Sequence, residues 1–317
     1  MDRILEWLLE GDVSVQYLTR KYLLRQPQSG LTELRQRIAA EGFGRRFLQV
    51  RQPNGHWGYE FYSPKWISSH YTLLDLRYLE IEPVEEIGET LRLILRDHKG
   101  PDGSLYESRM PRRGDVCVNG MFLNYAAFFG VPEDSLRSVV DFLMSCVMPD
   151  GGFNCDFLKP GVHHSSMHTT LSVLEGLWEF RKQGYAYRSE ELTECMAGAE
   201  EFLLIHHLFR SDKTGEIINP AWLRLSFPVR WKYDILRALV YFADRGILAD
   251  PRLVEPVKVL RQKQRKDGTW PVQAKHSGLV HFDMEKTGEP SRFNTLRALR
   301  VLNSLPEGGN QSGMSLN

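Results

Sequence analysis

The sequence predicts an all-α fold, a closed α/α toroid of about six inner and six outer helices. Three observations predict it: a turn signal that recurs along the chain, an amphipathic helical stretch before each turn, and a nearly all-apolar helical stretch after it. A helix that is apolar all round is packed on several faces, so the second helix of each pair should be the inner one. Closure of the ring buries the inner helices without the polar caps that an open solenoid needs.

The turn signal is Asn-Gly or Asp-Gly, followed two residues later by an aromatic or aliphatic residue. Asn, Asp and Gly tolerate a left-handed backbone, and the apolar residue can anchor the turn in the core. The clear copies are Asn54-Gly55-His56-Trp57, Asp102-Gly103-Ser104-Leu105, Asp150-Gly151-Gly152-Phe153 and Asp267-Gly268-Thr269-Trp270, with a degenerate copy at Thr214-Gly215-Glu216-Ile217.

The helix pairs follow in order along the chain. Residues 2–9 and 13–24 form the first hairpin, within residues 1–30, and Asp12 is the expected N-cap of its second helix. The outer helices that follow are predicted at 34–50, 84–97, 132–148, 189–207 and 251–264, and the inner ones at 68–79, 115–129, 165–180, 229–242 and 291–302. We expect residues 1–305 to form one domain and residues 306–317 to be a flexible tail.

Composition narrows the possible functions. The chain has 317 residues, 40 Lys and Arg against 40 Asp and Glu, and 42% hydrophobic residues. Nucleic acid is therefore not an expected partner, and a large core can form. No apolar run approaches the ~20 residues of a membrane span and no signal peptide opens the chain, which together predict a cytoplasmic protein. The four cysteines form no disulfide framework, so each is a buried thiol, a ligand or a nucleophile.

Potential metal ligands converge at two neighbouring inner-helix starts. They are Asp115 and Cys117 at one start, and Cys155, His164 and His168 on the next turn and helix. Zinc binds thiolate, imidazole and carboxylate groups in a tetrahedron, and side chains from adjoining helix ends can share one ion. Two ligand sets stay open: Asp115, Cys117 and His168 with a water, or Cys117, Cys155, His164 and His168 as a closed structural site. The alternatives without a metal are a Cys117 nucleophile with His168 as its base, and ordinary packing of the thiols.

The inner-helix starts also carry residues suited to a ligand with apolar and polar parts. Alignment of these helices places His70, Asn119, His168, Tyr233 and Phe293 at one level, with Trp231 beside them. Lys65, Arg113, Arg230 and Arg292 lie just before four of the starts, and helix N-termini add partial positive charge. This end of the ring should therefore attract an anion, unless the aromatics only pack helix ends and the cations form surface ion pairs. The irregular segments 266–290 and 214–228 are candidate lids.

The Gly-Gly-Phe and Gly-x-Trp turns resemble the repeats of squalene and oxidosqualene cyclases and of protein prenyltransferase β subunits, over roughly residues 40–304. That resemblance implies an α/α toroid with a central cavity. The acid motif of the cyclases, Asp-x-Asp-Asp, would fall at Asp115-Val116-Cys117-Val118, where only the first carboxylate is present, and no Asp-Asp-x-x-Asp motif for a diphosphate occurs. The prenyltransferase zinc site, Asp-x-Cys followed by His, is similar to Asp115, Cys117 and His168, and implies that these three are the catalytic residues.

Three functions remain open from these observations. The first, which the sequence favours, is a transferase-like or lyase-like zinc enzyme that binds an isoprenoid or lipid-like small molecule with an anionic head in its central cavity. The second is a carbohydrate-active α/α barrel that uses a pair of carboxylates among Asp115, Asp156 and Asp234. The third is a non-catalytic ligand-binding or scaffold barrel.

Overall fold

The computed structural model describes residues 2–107 and 114–306, and this part of the chain is predominantly helical. The helices are α1 (Asp2–Leu9), α2 (Val13–Tyr22), α3 (Thr32–Ala40), α4 (Gly42–Gln49), α5 (Ser69–Tyr78), α6 (Glu85–His98), α7 (Val116–Phe128), α8 (Glu133–Met144), α9 (Met167–Lys182), α10 (Ser189–Ile205), α11 (Ile235–Asp244), α12 (Val254–Gln262) and α13 (Arg292–Asn303). Two short antiparallel strands, β1 (Trp270–Pro271) and β2 (Pro290–Ser291), complete the described structure together with four 3-10 turns. The all-α prediction is confirmed. None of the described helices is long and apolar enough to span a membrane.

Burial separates two kinds of helix. In α7 every residue from Val116 to Ala127 is buried, whereas α6 buries mainly one face, with Ile87, Leu91 and Ile94 at helical spacing. Helices α5, α7 and α9 pack side by side, α11 packs against α13, and α13 packs against α2. Side chains from α2, α5, α7, α9, α11 and α13 line one cavity of about 90 Å³, which we call the central cavity.

The repeated turns position the inner helices by a shared set of contacts. The five turn glycines, at 55, 103, 151, 215 and 268, have φ between +71° and +86°. In the four clear copies the apolar anchor is fully buried, and its backbone N–H donates to a polar side chain on the following inner helix. These pairs are Trp57 with Ser69 (3.0 Å), Leu105 with Asn119 (2.7 Å), Phe153 with Thr170 (2.9 Å) and Trp270 with Thr295 (2.9 Å). Ile217 of the degenerate copy is exposed.

Residues 34–50 are two helices rather than the predicted one. The break falls at Gly42, whose φ is +57°, and the Phe43 N–H donates to Asp12 Oδ2 at 2.8 Å. A Cβ at Gly42 would lie 2.0 Å from that carboxylate oxygen, so the close approach requires glycine. Asp12 also accepts from the Ser14 N–H at 2.9 Å, which confirms it as the N-cap of α2. The described chain thus has thirteen α-helices instead of twelve.

The inner helix predicted at 229–242 begins six residues later, at Ile235. Asp234 is its N-cap and accepts from the Arg237 N–H at 2.9 Å. The irregular residues before it are held by Arg237, whose Nη1 donates to the carbonyls of residues 230, 231 and 232. Of the predicted tail, residues 307–317 lie outside the described residues.

The candidate lid at 266–290 lies over the N-terminal end of the inner helices. Its Ser277 carbonyl accepts from Trp66 Nε1 at 2.6 Å, and its His281 Nε2 lies 3.0 Å from the Thr72 hydroxyl of α5. Phe282 packs its ring 4.6 Å from that of Phe47 on α4. The segment therefore packs against α4, α5 and the residues just before α5.

Candidate functional site

Asp115, Cys117 and Cys155 come together at the starts of α7 and α9, and we call them the thiol–carboxylate cluster. One ligand atom from each lies within 4.8 Å of the other two, and no other group of three such residues is found in residues 2–107 and 114–306. Cys155 Sγ lies 2.8 Å from Asp115 Oδ1 and 3.3 Å from the hydroxyl of Thr169. The convergence that the sequence predicts thus holds for three of its five residues.

Two local features bring the cluster together. Asp115 is the N-cap of α7, and its Oδ1 accepts from the Cys117 N–H at 3.0 Å. Helices α7 and α9 meet backbone to backbone, since a Cβ at Gly176 would lie 2.3 Å from the carbonyl oxygen of Gly120. Cys155, which follows the turn before α9, therefore lies beside the start of α7, and the Cys117 N–H is 3.3 Å from its sulfur.

Electrostatics keeps the Cys117 thiol neutral. Its hydrogen bond with Cys155, its burial and the negative charge of Asp115 raise the pKa of Cys117 well above its ordinary value. A thiol is a nucleophile only as the thiolate, so this environment without a cation does not activate Cys117. In the alternative of a Cys117 nucleophile the base is His168, whose Nδ1 is instead bonded to the backbone N–H of Tyr233 at 2.7 Å.

His168 is held away from metal binding by its hydrogen bond. Its Nδ1 accepts from the Tyr233 N–H at 2.7 Å, and its ring packs 5.2 Å from that of Trp231. Burial, and next the charge of Arg237, lower the pKa of His168 to about 4. The neutral ring therefore carries its proton on Nε2 and has no free lone pair, which corrects the ligand sets and the base role that include His168.

His164 does not join the cluster either. Its side chain is exposed, and its backbone carbonyl accepts from Asn154 Nδ2 at 2.8 Å. The loop that carries it turns back toward Asn154 before α9 begins at Met167. The predicted closed structural site therefore cannot form as proposed, because neither of its two histidines lies with the cysteines in a ligand group.

The predicted ring of ligand-binding residues is largely occupied by contacts inside the protein. Asn119 is fully buried, and its amide binds both the N–H and the carbonyl of Leu105, at 2.7 and 3.0 Å. The Tyr233 hydroxyl donates to the Leu208 carbonyl at 2.7 Å. Asn119 and Tyr233 thus hold the fold together, a role that no sequence pattern distinguishes from ligand binding.

Of the other members of that ring, His70 keeps a polar atom without a partner among the described residues and Phe293 faces the central cavity. His70 is buried with Nδ1 3.1 Å from the Tyr125 hydroxyl, while its Nε2 has no hydrogen-bond partner among the described residues. Burial, followed by the charges of Lys65 and Arg230, lowers the pKa of His70 to about 3. Phe293 stacks on Phe227 at 4.2 Å and lines the central cavity. A role in binding stays a prediction for both residues.

The predicted anion-attracting end is neutralised only in part. Arg230 is buried in an ion pair with Asp75, and Arg292 donates through Nε to the Trp7 carbonyl at 3.0 Å. Lys65 is exposed, with its ammonium 5.0 Å from the Trp66 ring and 5.3 Å from that of Trp231. Arg113 lies outside the described residues. Asp75 thus neutralises Arg230, whereas anion binding by Lys65 and Arg292 stays a prediction.

The sequence reasoning missed a group of charged residues on the inner helices. They line the central cavity and include Arg77, Glu175, Glu179, Arg237, Asp244, Arg297 and Arg300. Ion pairs join Arg77 to Glu179, Arg237 to Glu175 and Arg300 to Asp244. Their signal in the sequence is the presence of charges on helices whose other residues are apolar on several faces.

Comparisons with known proteins leave the family open. No protein-family model matches the chain, and no curated protein matches it in sequence. Among solved structures it is similar to a variant of the type II terpene cyclase MstE from Scytonema in complex with the product merosterolic acid A, at 13% identity and a TM-score of 0.34. That match covers 86% of this chain and 96% of the other. At this level of similarity, function has to be argued from the chain's own residues.

Proposed function

We propose that this chain is an α/α-toroid enzyme that binds zinc at Asp115, Cys117 and Cys155. The observation that carries the proposal is the convergence of two thiols and one carboxylate, from two hairpins, within 4.8 Å. Thiolate and carboxylate are ligands that zinc accepts, and three protein ligands leave one tetrahedral position open, as in catalytic sites. This donor set differs from both sets considered from the sequence: Cys155 takes the place of His168 in the first, and Asp115 takes the place of the two histidines in the second.

The observed distances suit such an ion after a small adjustment. Zinc bonds of about 2.0 to 2.3 Å in a tetrahedron separate ligand atoms by roughly 3.3 to 3.8 Å. Cys155 Sγ and Asp115 Oδ1 lie 2.8 Å apart, which is the length of a hydrogen bond from the thiol. Replacement of that proton by a metal ion requires the two side chains to separate by roughly half an ångström to one ångström, within the reach of small side-chain rotations.

The local charges favour a cation. Two thiolates and a carboxylate this close repel one another, and a divalent ion offsets that repulsion. The backbone supports the charged sulfur, because the Cys117 N–H points at Cys155 Sγ from 3.3 Å and the N-terminus of α7 carries partial positive charge. Thr169, with its hydroxyl 3.3 Å from the same sulfur, can donate a further hydrogen bond.

Two tyrosines beside the cluster supply protons. The hydroxyls of Tyr62 and Tyr71 lie 3.2 Å apart, and burial is the main reason that the pKa of each is raised. Both phenols therefore stay protonated at neutral pH and can donate to an oxygen of a bound substrate. Zinc in the cluster would lower the pKa of a thiol or water at the open position and so provide a nucleophile. An isoprenoid or lipid-like substrate with an anionic group is proposed from the resemblance of the turn repeats.

The proposed toroid rests on two contacts of the described helices. Helix α13 packs against α2, which brings the last hairpin to the first, and all six inner helices contribute to the central cavity. We propose residues 1–305 as one domain on the same ground. The carbohydrate-active alternative has less support, since Asp156 is exposed and paired with Lys159 at 2.8 Å, and both oxygens of Asp234 accept backbone N–H groups.

The experiment is a zinc determination on the full chain, purified without a histidine tag and dialysed against metal-free buffer. We expect equimolar zinc in the wild type, and loss of both zinc and thermal stability in Cys117→Ser and Cys155→Ser. Cys195→Ser, on outer helix α10, is the matched control and should keep its zinc. Wild-type protein that holds no zinc even after incubation with the metal would refute the proposal.

A further inference from the structure

The central cavity lies among the inner helices, and none of the thiol–carboxylate cluster lines it. Its lining is unusual in carrying four arginines, Arg77, Arg237, Arg297 and Arg300. Buried cations require partners, because the loss of hydration is costly. The pairing of these arginines therefore indicates whether the cavity is complete without a ligand.

Three of the four arginines are paired with carboxylates that line the same cavity, namely Glu179, Glu175 and Asp244. Arg297 has no carboxylate within ion-pair distance in the described part of the chain, and its one hydrogen bond there runs from Nη1 to Asn294 Oδ1 at 3.3 Å. Asp234 and Glu175 act on it electrostatically, but both oxygens of Asp234 are bonded to the backbone N–H groups of Ser226 and Arg237, and Glu175 is paired with Arg237. Burial accordingly lowers the pKa of Arg297.

Other buried polar atoms of the cavity lining are also without partners among the described residues. Arg77 Nε and Trp178 Nε1 are hydrogen-bond donors, and Asn124 Oδ1 is an acceptor. Buried polar groups are nearly always hydrogen-bonded in folded proteins, so three unsatisfied atoms around one cavity point to a polar occupant. Two of these three atoms are donors, and the guanidinium of Arg297 beside them has no ion-pair partner among the described residues. This lining favours an occupant that accepts hydrogen bonds and carries negative charge.

We infer that the central cavity binds a small oxyanion, the carboxylate or phosphate group of a ligand, with Arg297 as its ion-pair partner. A volume of about 90 Å³ holds several water-sized groups, which suits such an anion with a short apolar part against Phe227 and Leu296. Solvent reaches the lining, because the side chains of Arg77 and Glu175 are each 14% exposed. This inference does not depend on the zinc proposal.

The test uses the full-length wild type with sodium acetate and sodium phosphate as probes, at ionic strength held constant with sodium chloride. Calorimetric titration should show saturable binding, and thermal unfolding should shift upward with the bound probe. Tighter binding of acetate assigns the site to carboxylates, and tighter binding of phosphate assigns it to phosphate groups. Arg297→Gln should weaken binding by at least about tenfold, because a charge-assisted hydrogen bond is lost.

The controls separate this site from general charge effects and from the metal. Arg297→Gln should unfold, without the probe, at a temperature close to that of the wild type, since no ion pair is broken and Asn294 keeps its place beside the new amide. Val240→Phe fills the cavity without a change of charge and should also abolish binding, which keeps the test valid if one variant fails to fold. Arg96→Gln on the exposed face of α6 should bind like the wild type, and so should wild-type protein treated with a chelator to remove any metal. Absence of saturable binding in the wild type, or unchanged binding in folded Arg297→Gln, overturns the inference.

Discussion

The backbone N–H of Tyr233 donates a hydrogen bond of 2.7 Å to Nδ1 of His168. A backbone amide is always a donor, so this contact fixes the tautomer of the ring and leaves Nε2 protonated. The residue that family resemblance implies as the third zinc ligand is therefore committed to the loop before α11. The cluster that remains contains sulfur and oxygen ligands only.

We expect His168→Asn to preserve the fold better than His168→Ala. The Asn Oδ1 can occupy the position of Nδ1 and accept the Tyr233 N–H, whereas alanine leaves that buried donor unsatisfied at a cost of about 1 to 3 kcal/mol. Urea unfolding of both variants measures the difference, and zinc content should be unchanged in both. Loss of zinc from the asparagine variant would identify His168 as a ligand and contradict this assignment.

Stability should fall as the pH is lowered from about 6.5 to about 4. Burial, and next the charge of Arg230, lower the pKa of both His276 and His281 in the folded protein to about 4, from an ordinary value of 6.5. In that window the unfolded chain binds the extra protons, so each of these half-buried histidines reduces the free energy of unfolding by at most about 1.4 kcal/mol per pH unit. His276→Gln should therefore lose up to about 2 kcal/mol less than the wild type between pH 6.5 and pH 5. His163→Gln, at an exposed position, should behave like the wild type, and an unchanged slope in His276→Gln would show that His276 is not buried neutral.

Gly151 should tolerate substitution less well than Gly130. Both have positive φ, +86° and +76°, so alanine introduces a left-handed strain of about 1 to 2 kcal/mol at either. A Cβ at Gly151 would also lie 2.7 Å from the Gly198 carbonyl oxygen on α10, while nothing lies within 4 Å at Gly130. Because of this overpacking, Gly151→Ala should lose about 1 to 3 kcal/mol more of the free energy of unfolding than Gly130→Ala. Thermal unfolding of the two variants measures the difference. Equal losses would show that the turn does not touch the outer helix.

Removal of only one charge of the buried Asp75–Arg230 ion pair should strongly lower the free energy of unfolding. Asp75→Asn leaves the Arg230 charge buried and uncompensated, which typically costs about 3 to 5 kcal/mol. The double variant Asp75→Leu with Arg230→Met removes both charges and should recover much of that loss. Denaturant unfolding of the three proteins provides the comparison. A double variant no more stable than the single one would indicate that the pair contributes through other contacts.

The sequence predicts the helix pairs because its signals are local. The Asn-Gly and Asp-Gly turns, the buried anchors such as Trp57 and Trp270, and the contrast between α6 and α7 all depend on residues close in the chain. The start of α11 was misplaced because Arg237 binds the backbone carbonyls before it, and no periodicity shows that contact. The break at Gly42 likewise depends on Asp12, thirty residues earlier.

The candidate site was predictable only in part for the same reason. Asp115 and Cys117 lie at a recognisable helix start, and Cys155 follows a recognisable turn, so their convergence follows from the order of the repeats. The orientation of an imidazole depends on which backbone donor it meets, as His168 shows. Likewise, the unpaired charge of Arg297 is visible only when the partners of its neighbours are known.

Cobalt substitution tests the thiol–carboxylate cluster most directly. Co²⁺ takes tetrahedral zinc sites, and its thiolate ligands give a charge-transfer absorption in the near ultraviolet that grows with the number of Co–S bonds. The wild type should bind one equivalent with a two-thiolate absorption, Cys117→Ser and Cys155→Ser should each show about half of that absorption or lose the metal, and Cys195→Ser should match the wild type. A wild-type spectrum without thiolate absorption, or one that Cys117→Ser and Cys155→Ser leave unchanged, would contradict the zinc site.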